Sequence, residues 1–217
     1  MILRKLGGIG ALLISVYFIG LVVTIAVIMP AQGFAGDASA FHTPSIALAY
    51  AQESFVFPEY YWLAFVFGVG LLFASLTIYE YFQQHYSLLA KLSLIVGIIG
   101  AGLSFSETIV GVKVISELAD LYISQPAEAG AAYLSINLLT GALRVGYWQA
   151  FGWWVLLSSL VGVQSNFFVR PLWITGIVVG VVAIGAIVSS LVIIHVMLGF
   201  IWSLWLGITL FKRESHK

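Results

Sequence analysis

The sequence predicts an all-α, polytopic membrane helix bundle with six transmembrane helices and both termini in the cytoplasm. Composition is the first observation, because the 217-residue chain is 61% hydrophobic and only 8% charged, with a mean hydropathy of +1.07. Soluble domains carry about 25% charged residues. The second is the length of the apolar runs, several of which reach the roughly 20 residues that cross a hydrocarbon core. The third is the alternating placement of basic residues between those runs.

Charge and cysteine content exclude several classes of protein. Nine basic and nine acidic residues cancel, so the sequence predicts no nucleic-acid partner. The chain has no cysteine, which excludes disulfides, thiolate catalysis and cysteine-ligated metals. Its length predicts one transmembrane domain over residues 1–217, without a separate soluble domain.

The first apolar run, about residues 6–29, follows Arg4 and Lys5 and ends at Pro30. A signal peptide also begins with positive charge, but its apolar core has only about 7–15 residues. We therefore expect a retained helix. The small residues of 31–40 keep a cleaved signal open as the alternative.

Residues 31–57 form a more polar interval that contains no Lys or Arg. Thr43 before Pro44 matches a helix N-cap with proline at the first helical position. This pattern predicts a short helix at the membrane interface, with a plain loop as the alternative. The next span opens with Tyr60, Tyr61 and Trp62, aromatic residues typical of the headgroup level.

The later spans follow from hydropathy and length. Residues 171–210 contain no charge and are too long for one crossing at 1.5 Å per residue, so we expect two helices with a tight turn near Ser189–Ser190. Gly176 and Gly180 predict close helix packing in the first of these two. The predicted spans are about 6–29, 59–79, 88–110, 138–163, 171–188 and 191–211, and a start as early as Pro126 stays open for the fourth helix.

The positive-inside rule assigns the orientation. With a cytoplasmic N-terminus, seven of the nine basic residues lie inside, namely Arg4, Lys5, Lys91, Arg170, Lys212, Arg213 and Lys217. A five-span count places the basic tail outside and loses this pattern. The sequence thus predicts a multi-pass protein of the cell inner (plasma) membrane, with about 31–57 and 119–135 outside.

Charge enters the apolar part of the chain mainly between residues 104 and 144. Glu107 lies about 28 Å along the third span, and Arg144 lies about 28 Å from the inner end of the fourth. An ionisable residue at membrane depth usually faces protein, water or a partner. Their common depth and opposite charge motivate the hypothesis that they pair.

Helical spacing extends this hypothesis to a candidate site. Asn137, Gly141, Arg144 and Trp148 recur at intervals of four, three and four, so they share one helix face. One interpretation is an outward-facing polar pocket in which Arg144 binds an anionic headgroup or a carboxylate. The other is a structural ion pair with snorkelling side chains. The candidate residues are Glu107, Arg144, Lys113, Glu117, Asn137 and Trp148.

Catalytic and cofactor motifs are not found in the sequence. It contains no His-Glu-x-x-His, no Gly-x-Ser-x-Gly, no phosphate-binding glycine loop and no acidic pair with metal spacing. We therefore predict no catalytic residue, no metal and no cofactor. His195 is the one histidine within a span, and hydrogen bonding to backbone or water is a more common role for such a residue than cofactor ligation.

Three function classes remain open. The sequence favours a binding or accessory protein, or a subunit of a larger membrane complex or homo-oligomer, with the lipid bilayer as its surroundings. The first alternative is a small-molecule or lipid transporter, which needs polar groups near mid-bilayer. The second is a membrane-embedded enzyme that uses Glu107.

The C-terminal half carries motifs that resemble a known family. These are the aromatic helix 146–162, the link Phe-Phe-Val-Arg-Pro-Leu-Trp at 167–173 and the ending Ile-Trp-Ser-Leu-Trp-Leu-Gly at 201–207. The opening Arg-Lys-Leu-Gly-Gly at 4–8 is compatible with them. Together they resemble a broad family of six-span prokaryotic integral membrane proteins of unknown function. The resemblance implies a six-span bundle and no catalytic residues.

Overall fold

The computed structural model describes residues 2–31, 42–53, 56–84, 86–165, 168–188 and 191–212. The chain is all-helical in these parts, with no strand among the described residues. The all-α class predicted from composition is therefore confirmed. The predicted turn at Ser189–Ser190 lies outside the described residues, as does most of the segment 31–41.

In chain order the helices are α1 (Ile2–Val23), α2 (Met29–Ala31), α3 (Pro44–Glu53), α4 (Val56–Phe82), α5 (Ser87–Ile109), α6 (Ile115–Ser124), α7 (Pro126–Ser165), α8 (Arg170–Gly185) and α9 (Val192–Lys212). Helices α4 and α7, with 27 and 40 residues, are longer than the spans predicted for them. A π-helical turn at Thr24–Ile28 joins α1 to α2, and another at Val110–Val114 joins α5 to α6. Two helices, α8 and α9, occupy the uncharged segment 171–210.

Proline marks the beginning of three helices. α3 begins at Pro44, α7 begins at Pro126, and Pro171 lies in the first turn of α8. Proline is favoured there because the first N–H groups of a helix have no intrahelical acceptor. These positions separate segments that hydropathy alone leaves continuous.

The six long helices pack as a ring in the order α1, α4, α5, α7, α8 and α9, and α9 contacts α1 again. Neighbours in this ring are antiparallel. Arg4 near the start of α1 donates from Nε to the carbonyl oxygen of Leu210 near the end of α9, at 2.6 Å. Halfway along, Ser15 Oγ and Ser203 Oγ are 2.8 Å apart. Successive helices joined by short connections commonly adopt this arrangement.

Aromatic side chains fill the interior of the ring. Phe18, Phe67, Phe151 and Trp154 are fully buried and belong to one large apolar cluster. The helices approach closely where glycine replaces a side chain. At Gly180 of α8, for example, an added Cβ would lie 2.8 Å from the backbone nitrogen of Leu156 on α7.

A second, smaller cluster covers one end of the ring, which we call the capped end. It is formed mainly by α3, α6 and the first turns of α7, and α3 contacts α4, α6 and α7. Gln52 Nε2 donates to the carbonyl oxygen of Ala119 at 2.6 Å and so fastens α3 to α6. The short helix predicted after Thr43 is thus present as α3.

Four described segments are long and apolar enough to cross a membrane, namely Ile2–Ala31, Tyr60–Phe82, Leu88–Ser124 and Val192–Lys212. α8 is apolar but has only 16 residues. α7 has 40 residues and is less apolar than these four segments. The four segments indicate a membrane protein.

Candidate functional site

Glu107 on α5 and Arg144 on α7 form an ion pair below the capped end. Arg144 donates two hydrogen bonds, from Nε at 2.8 Å and from Nη2, and both reach the same oxygen, Glu107 Oε1. The structure therefore brings together the two residues that the sequence places at one depth. Antiparallel packing makes this contact possible, because the end of α5 lies beside the middle of α7.

The two partners differ strongly in exposure. The Glu107 side chain is 1% exposed, whereas the Arg144 side chain is 24% exposed. Glu107 Oε2 is buried and has no hydrogen-bond partner among the described residues. The carboxylate thus relies on Arg144 for charge compensation, while Arg144 also reaches an open space.

Tyr60 and Tyr61 on α4 lie beside the guanidinium. Arg144 Cζ is 5.0 Å from the centroid of the Tyr60 ring, which is within cation–π range. The Tyr61 ring packs on Gly111, where an added Cβ would collide with it. Thr108 Oγ1 donates to the Tyr61 carbonyl oxygen at 3.0 Å. These contacts fix α4 against α5 and so position both tyrosines.

A cavity of about 610 Å³ opens next to Arg144, and we call it the Arg144 pocket. Its polar wall consists of His42, Tyr60, Tyr61, Asn137 and Arg144, and its other wall consists of Leu138, Gly141, Ala142 and Val145. The Asn137 amide nitrogen lies 3.4 Å from His42 Nδ1. Small-molecule sites typically have volumes of about 300–1,000 Å³, so the pocket has room for a ligand.

Arg144 keeps hydrogen-bond donors for this pocket. A guanidinium carries five N–H groups in one plane, and Glu107 accepts only from Nε and Nη2. The hydrogen bonds to Glu107 do not use Arg144 Nη1. Planar N–H groups of this kind match the oxygens of a carboxylate or a phosphate.

Trp148 shares the helix face of Arg144 but lies one turn deeper and does not line the pocket. Its indole Nε1 donates to Tyr17 Oη at 2.7 Å. The Tyr17 and Tyr147 hydroxyl oxygens are in turn 2.9 Å apart. Helical spacing predicts which residues share a face of α7, but it does not predict which helix packs on that face. At the depth of Trp148 the face is covered by α1, whereas at Arg144 it is open.

Lys113 and Glu117 also lie outside the Arg144 pocket. Lys113 Nζ is 2.9 Å from Glu117 Oε1, and the two side chains are 74% and 62% exposed. A π-helical turn adds a residue to the helical repeat and changes the direction of the side chains that follow it. The turn at Val110–Val114 stands between Glu107 and this pair. An exposed pair of this kind contributes little to stability.

His195 on α9 is fully buried among aromatic rings. Its ring centroid lies 5.3 Å from that of Phe18, 5.5 Å from that of Trp148 and 5.9 Å from that of Phe151. Neither ring nitrogen has a hydrogen-bond partner among the described residues. The backbone hydrogen bond expected from the sequence is thus not found in the described part of the chain.

The serines near Glu107 complete the hydrogen bonding of their own helix. Ser104 Oγ donates to the Ala101 carbonyl oxygen at 2.9 Å, and Ser106 Oγ donates to the Gly102 carbonyl oxygen at 3.0 Å. The described residues contain no group of three or more His, Cys, Asp or Glu side chains that could hold a metal ion. The polar groups around the pocket are instead suited to an anion.

Sequence reasoning missed the aromatic and histidine part of the site. It assigns Tyr60 and Tyr61 only to the membrane interface and His42 only to an outer segment. Depth in the membrane could have identified the tyrosines, because the outer end of the second span lies at the same depth as Glu107 and Arg144. Tyr17 gives no such signal, since its contact with α7 depends on the order of helices in the ring.

Comparison with protein-family models, with curated proteins and with solved structures finds no match to this chain. The resemblance to the six-span family of unknown function therefore stays a prediction.

Proposed function

We propose that this chain is a multi-pass protein of the cell inner membrane that binds a carboxylate or phosphate group in the Arg144 pocket. In this proposal six helices cross the bilayer, both termini are cytoplasmic and the capped end faces outward. The protein acts as a binding or accessory protein, alone, as a homo-oligomer or within a larger membrane complex.

The surface of the ring supports six crossings. Each of its helices presents large apolar side chains on the outside, including Ile19, Leu76, Ile98, Leu160, Val181 and Ile201. Within the predicted span of α7, Thr140, Ser158 and Ser159 are buried and face inward. α7 also has ample length, because 40 residues extend about 60 Å at 1.5 Å per residue.

One observation carries the proposed binding function, namely that Arg144 lines a cavity with a guanidinium whose Nη1 is not used by Glu107. A closed structural salt bridge buries both partners, whereas here only Glu107 is buried. Arginine at membrane depth is costly, and its retention usually reflects a function. Glu107 and Tyr60 hold the guanidinium in place, which limits the side-chain ordering that a ligand would otherwise impose.

The interior below the ion pair favours binding over transport. A transporter needs a path for its substrate and polar groups near the membrane midplane. Phe67, Phe151 and Trp154 fill that region and are fully buried. The enzyme alternative needs a nucleophile that Glu107 could activate. The nearby hydroxyls of Ser104 and Ser106 donate instead to backbone carbonyl oxygens of their own helix.

Ligand-induced thermal stabilisation tests this proposal. The protein is purified in an uncharged detergent and titrated with octyl phosphate or octanoate, with octanol as the neutral probe of equal chain length. A ligand that binds only the folded state stabilises it by about 2.7 kcal/mol at roughly a hundredfold excess over Kd. We expect both anions, but not octanol, to raise the Tm of the wild-type protein.

Arg144→Gln should abolish this rise, because the amide offers neither the charge nor the fork of the guanidinium. Arg170→Gln is the matched control, since Arg170 is an exposed arginine at the start of α8, outside the Arg144 pocket. Equal stabilisation by octanol, or an unchanged response in Arg144→Gln, contradicts the proposal.

A further inference from the structure

The second wall of the Arg144 pocket is an apolar stripe on α7. Leu138, Gly141, Ala142 and Val145 line it, and their spacing of three and four residues places them on one helix face. This stripe continues onto the outside of the bundle, because Leu138 is 76% exposed and Val145 is 38% exposed. The pocket therefore opens sideways, across a surface that faces lipid if the helices span a membrane.

Gly141 leaves the middle of this wall open. A Cβ added at this position meets no atom within 4 Å, and the neighbouring Ala142 is exposed. At many other glycines of the bundle an added Cβ meets an adjacent helix, as at Gly180. The space at Gly141 is thus an opening in the wall and not a helix contact.

Polar and apolar groups are segregated within the pocket. Asn137 and Arg144 lie on one face of α7, and the stripe lies on the adjacent face, which leads round the helix to its outer surface. This arrangement matches a molecule with an anionic head and an apolar tail. A water-soluble anion gains nothing from the stripe, whereas an acyl chain buries apolar area against it.

We propose that the ligand of the Arg144 pocket is an anionic membrane lipid, which enters from the bilayer between Leu138 and Val145. Its phosphate accepts hydrogen bonds from Arg144, and its acyl chain leaves the pocket sideways, past Gly141 and Val145, to the lipid-facing side of α7. This inference rests on the proposed function and specifies its ligand class. Glu107 already balances the charge of Arg144, so a phosphodiester with a single negative charge suits the site better than a multiply charged anion.

Native mass spectrometry of the full chain tests this inference. The protein is reconstituted into phosphatidylcholine vesicles that contain a minor fraction of phosphatidylglycerol, then released and weighed with its retained lipid. We expect one phosphatidylglycerol on the wild-type protein. Arg144→Gln and Gly141→Phe should each reduce its retention by about tenfold, which corresponds to the loss of one strong contact.

Gly102→Phe is the matched control for the glycine substitution. Gly102 also has no atom within 4 Å of an added Cβ, and it lies on an exposed face of α5 outside the pocket. This variant should retain phosphatidylglycerol like the wild type. Ala142→Phe repeats the blockage at an exposed position and covers the case in which Gly141→Phe does not fold.

Glycerol phosphate distinguishes a lipid from a water-soluble ligand, because it carries the same phosphate without a chain. If glycerol phosphate displaces the bound lipid, and binds the Gly141→Phe and Ala142→Phe variants like the wild type, the pocket is entered from water and the inference is wrong. If octyl phosphate stabilises the protein through Arg144 but no phosphatidylglycerol is retained, the lipid assignment fails while anion binding stands. If neither probe binds, both proposals fail.

Discussion

Glu107 and Arg144 contribute unequally to their ion pair, because only Glu107 is fully buried. Removal of Arg144 leaves a carboxylate without compensation in an apolar interior, which typically costs about 3–5 kcal/mol. Removal of Glu107 should cost less, since the guanidinium can turn toward the open pocket. We therefore expect Arg144→Ala to destabilise the protein more than Glu107→Ala does.

The double variant should be more stable than the sum of the single losses predicts, because it strands no buried charge. Reversible unfolding in mixed micelles measures all four proteins of this cycle. Losses that add within about 0.5 kcal/mol mean that the two side chains are not coupled, which contradicts the pairing.

The ion pair itself follows from sequence by depth and charge, but its surroundings do not. Arg144 and Asn137 share a helix face by spacing alone, and both line the pocket. The contact of Arg144 with Tyr60 and the burial of Trp148 under Tyr17 depend on which helices become neighbours. Hydropathy and periodicity are properties of single segments, so they carry no information about the order of helices in the ring.

At the scale of the elements, close packing depends on a few glycines. Gly180 lets α8 approach α7, because an added Cβ would lie 2.8 Å from the Leu156 backbone nitrogen and 2.9 Å from the Gly152 carbonyl oxygen. Backbone atoms cannot rotate away as a side chain can. Gly180→Ala should therefore lower the free energy of unfolding by about 1–3 kcal/mol.

Gly102→Ala is the same substitution, but we expect it to raise the free energy of unfolding. Its Cβ meets no atom within 4 Å, and alanine is a better helix former than glycine by up to about 1 kcal/mol. Thermal unfolding of both variants tests the difference. A stabilised Gly180→Ala variant would show that α7 and α8 do not approach as closely as described.

Helix ends were harder to predict than helix existence. The apolar run of the fourth span begins near residue 138, whereas α7 begins at Pro126, the earliest start that the sequence indicates. The segment 126–137 is rich in alanine, which favours a helix without making it apolar enough for lipid. Hydropathy detects the part of a helix suited to a bilayer and is insensitive to the rest.

The orientation of the protein in the membrane decides whether the capped end and the Arg144 pocket face outward. The uncapped end contains Arg4, whose guanidinium donates to the last carbonyls of α9, and the positive-inside rule places such residues in the cytoplasm. Single cysteines test this orientation cleanly, because the chain has none of its own.

Ile2→Cys and Ser124→Cys mark the two ends, and both native residues are exposed. In intact cells an impermeant maleimide should label Ser124→Cys at once, and Ile2→Cys only after lysis. Labelling of both after denaturation confirms that each thiol is reactive. The reverse pattern in intact cells would place the capped end in the cytoplasm and contradict the orientation.

In the proposed function, Arg144 is shared between Glu107 and an anionic ligand. Glu107→Gln distinguishes a ligand-binding Arg144 from a purely structural ion pair. The glutamine keeps an oxygen that accepts from Arg144, but it removes the negative charge that competes with an anionic ligand. We expect the substitution to lower stability yet tighten the binding of octyl phosphate by roughly three- to tenfold, or about 1 kcal/mol. Glu117→Gln, at an exposed acid outside the pocket, should leave the affinity unchanged.

The most direct test is thus the Kd of octyl phosphate for three proteins measured side by side in one uncharged detergent. We expect the tightest binding for Glu107→Gln, intermediate binding for the wild type and no binding for Arg144→Gln. Binding to Glu107→Gln that is equal to or weaker than wild type, or any binding retained by Arg144→Gln, would contradict the proposed function.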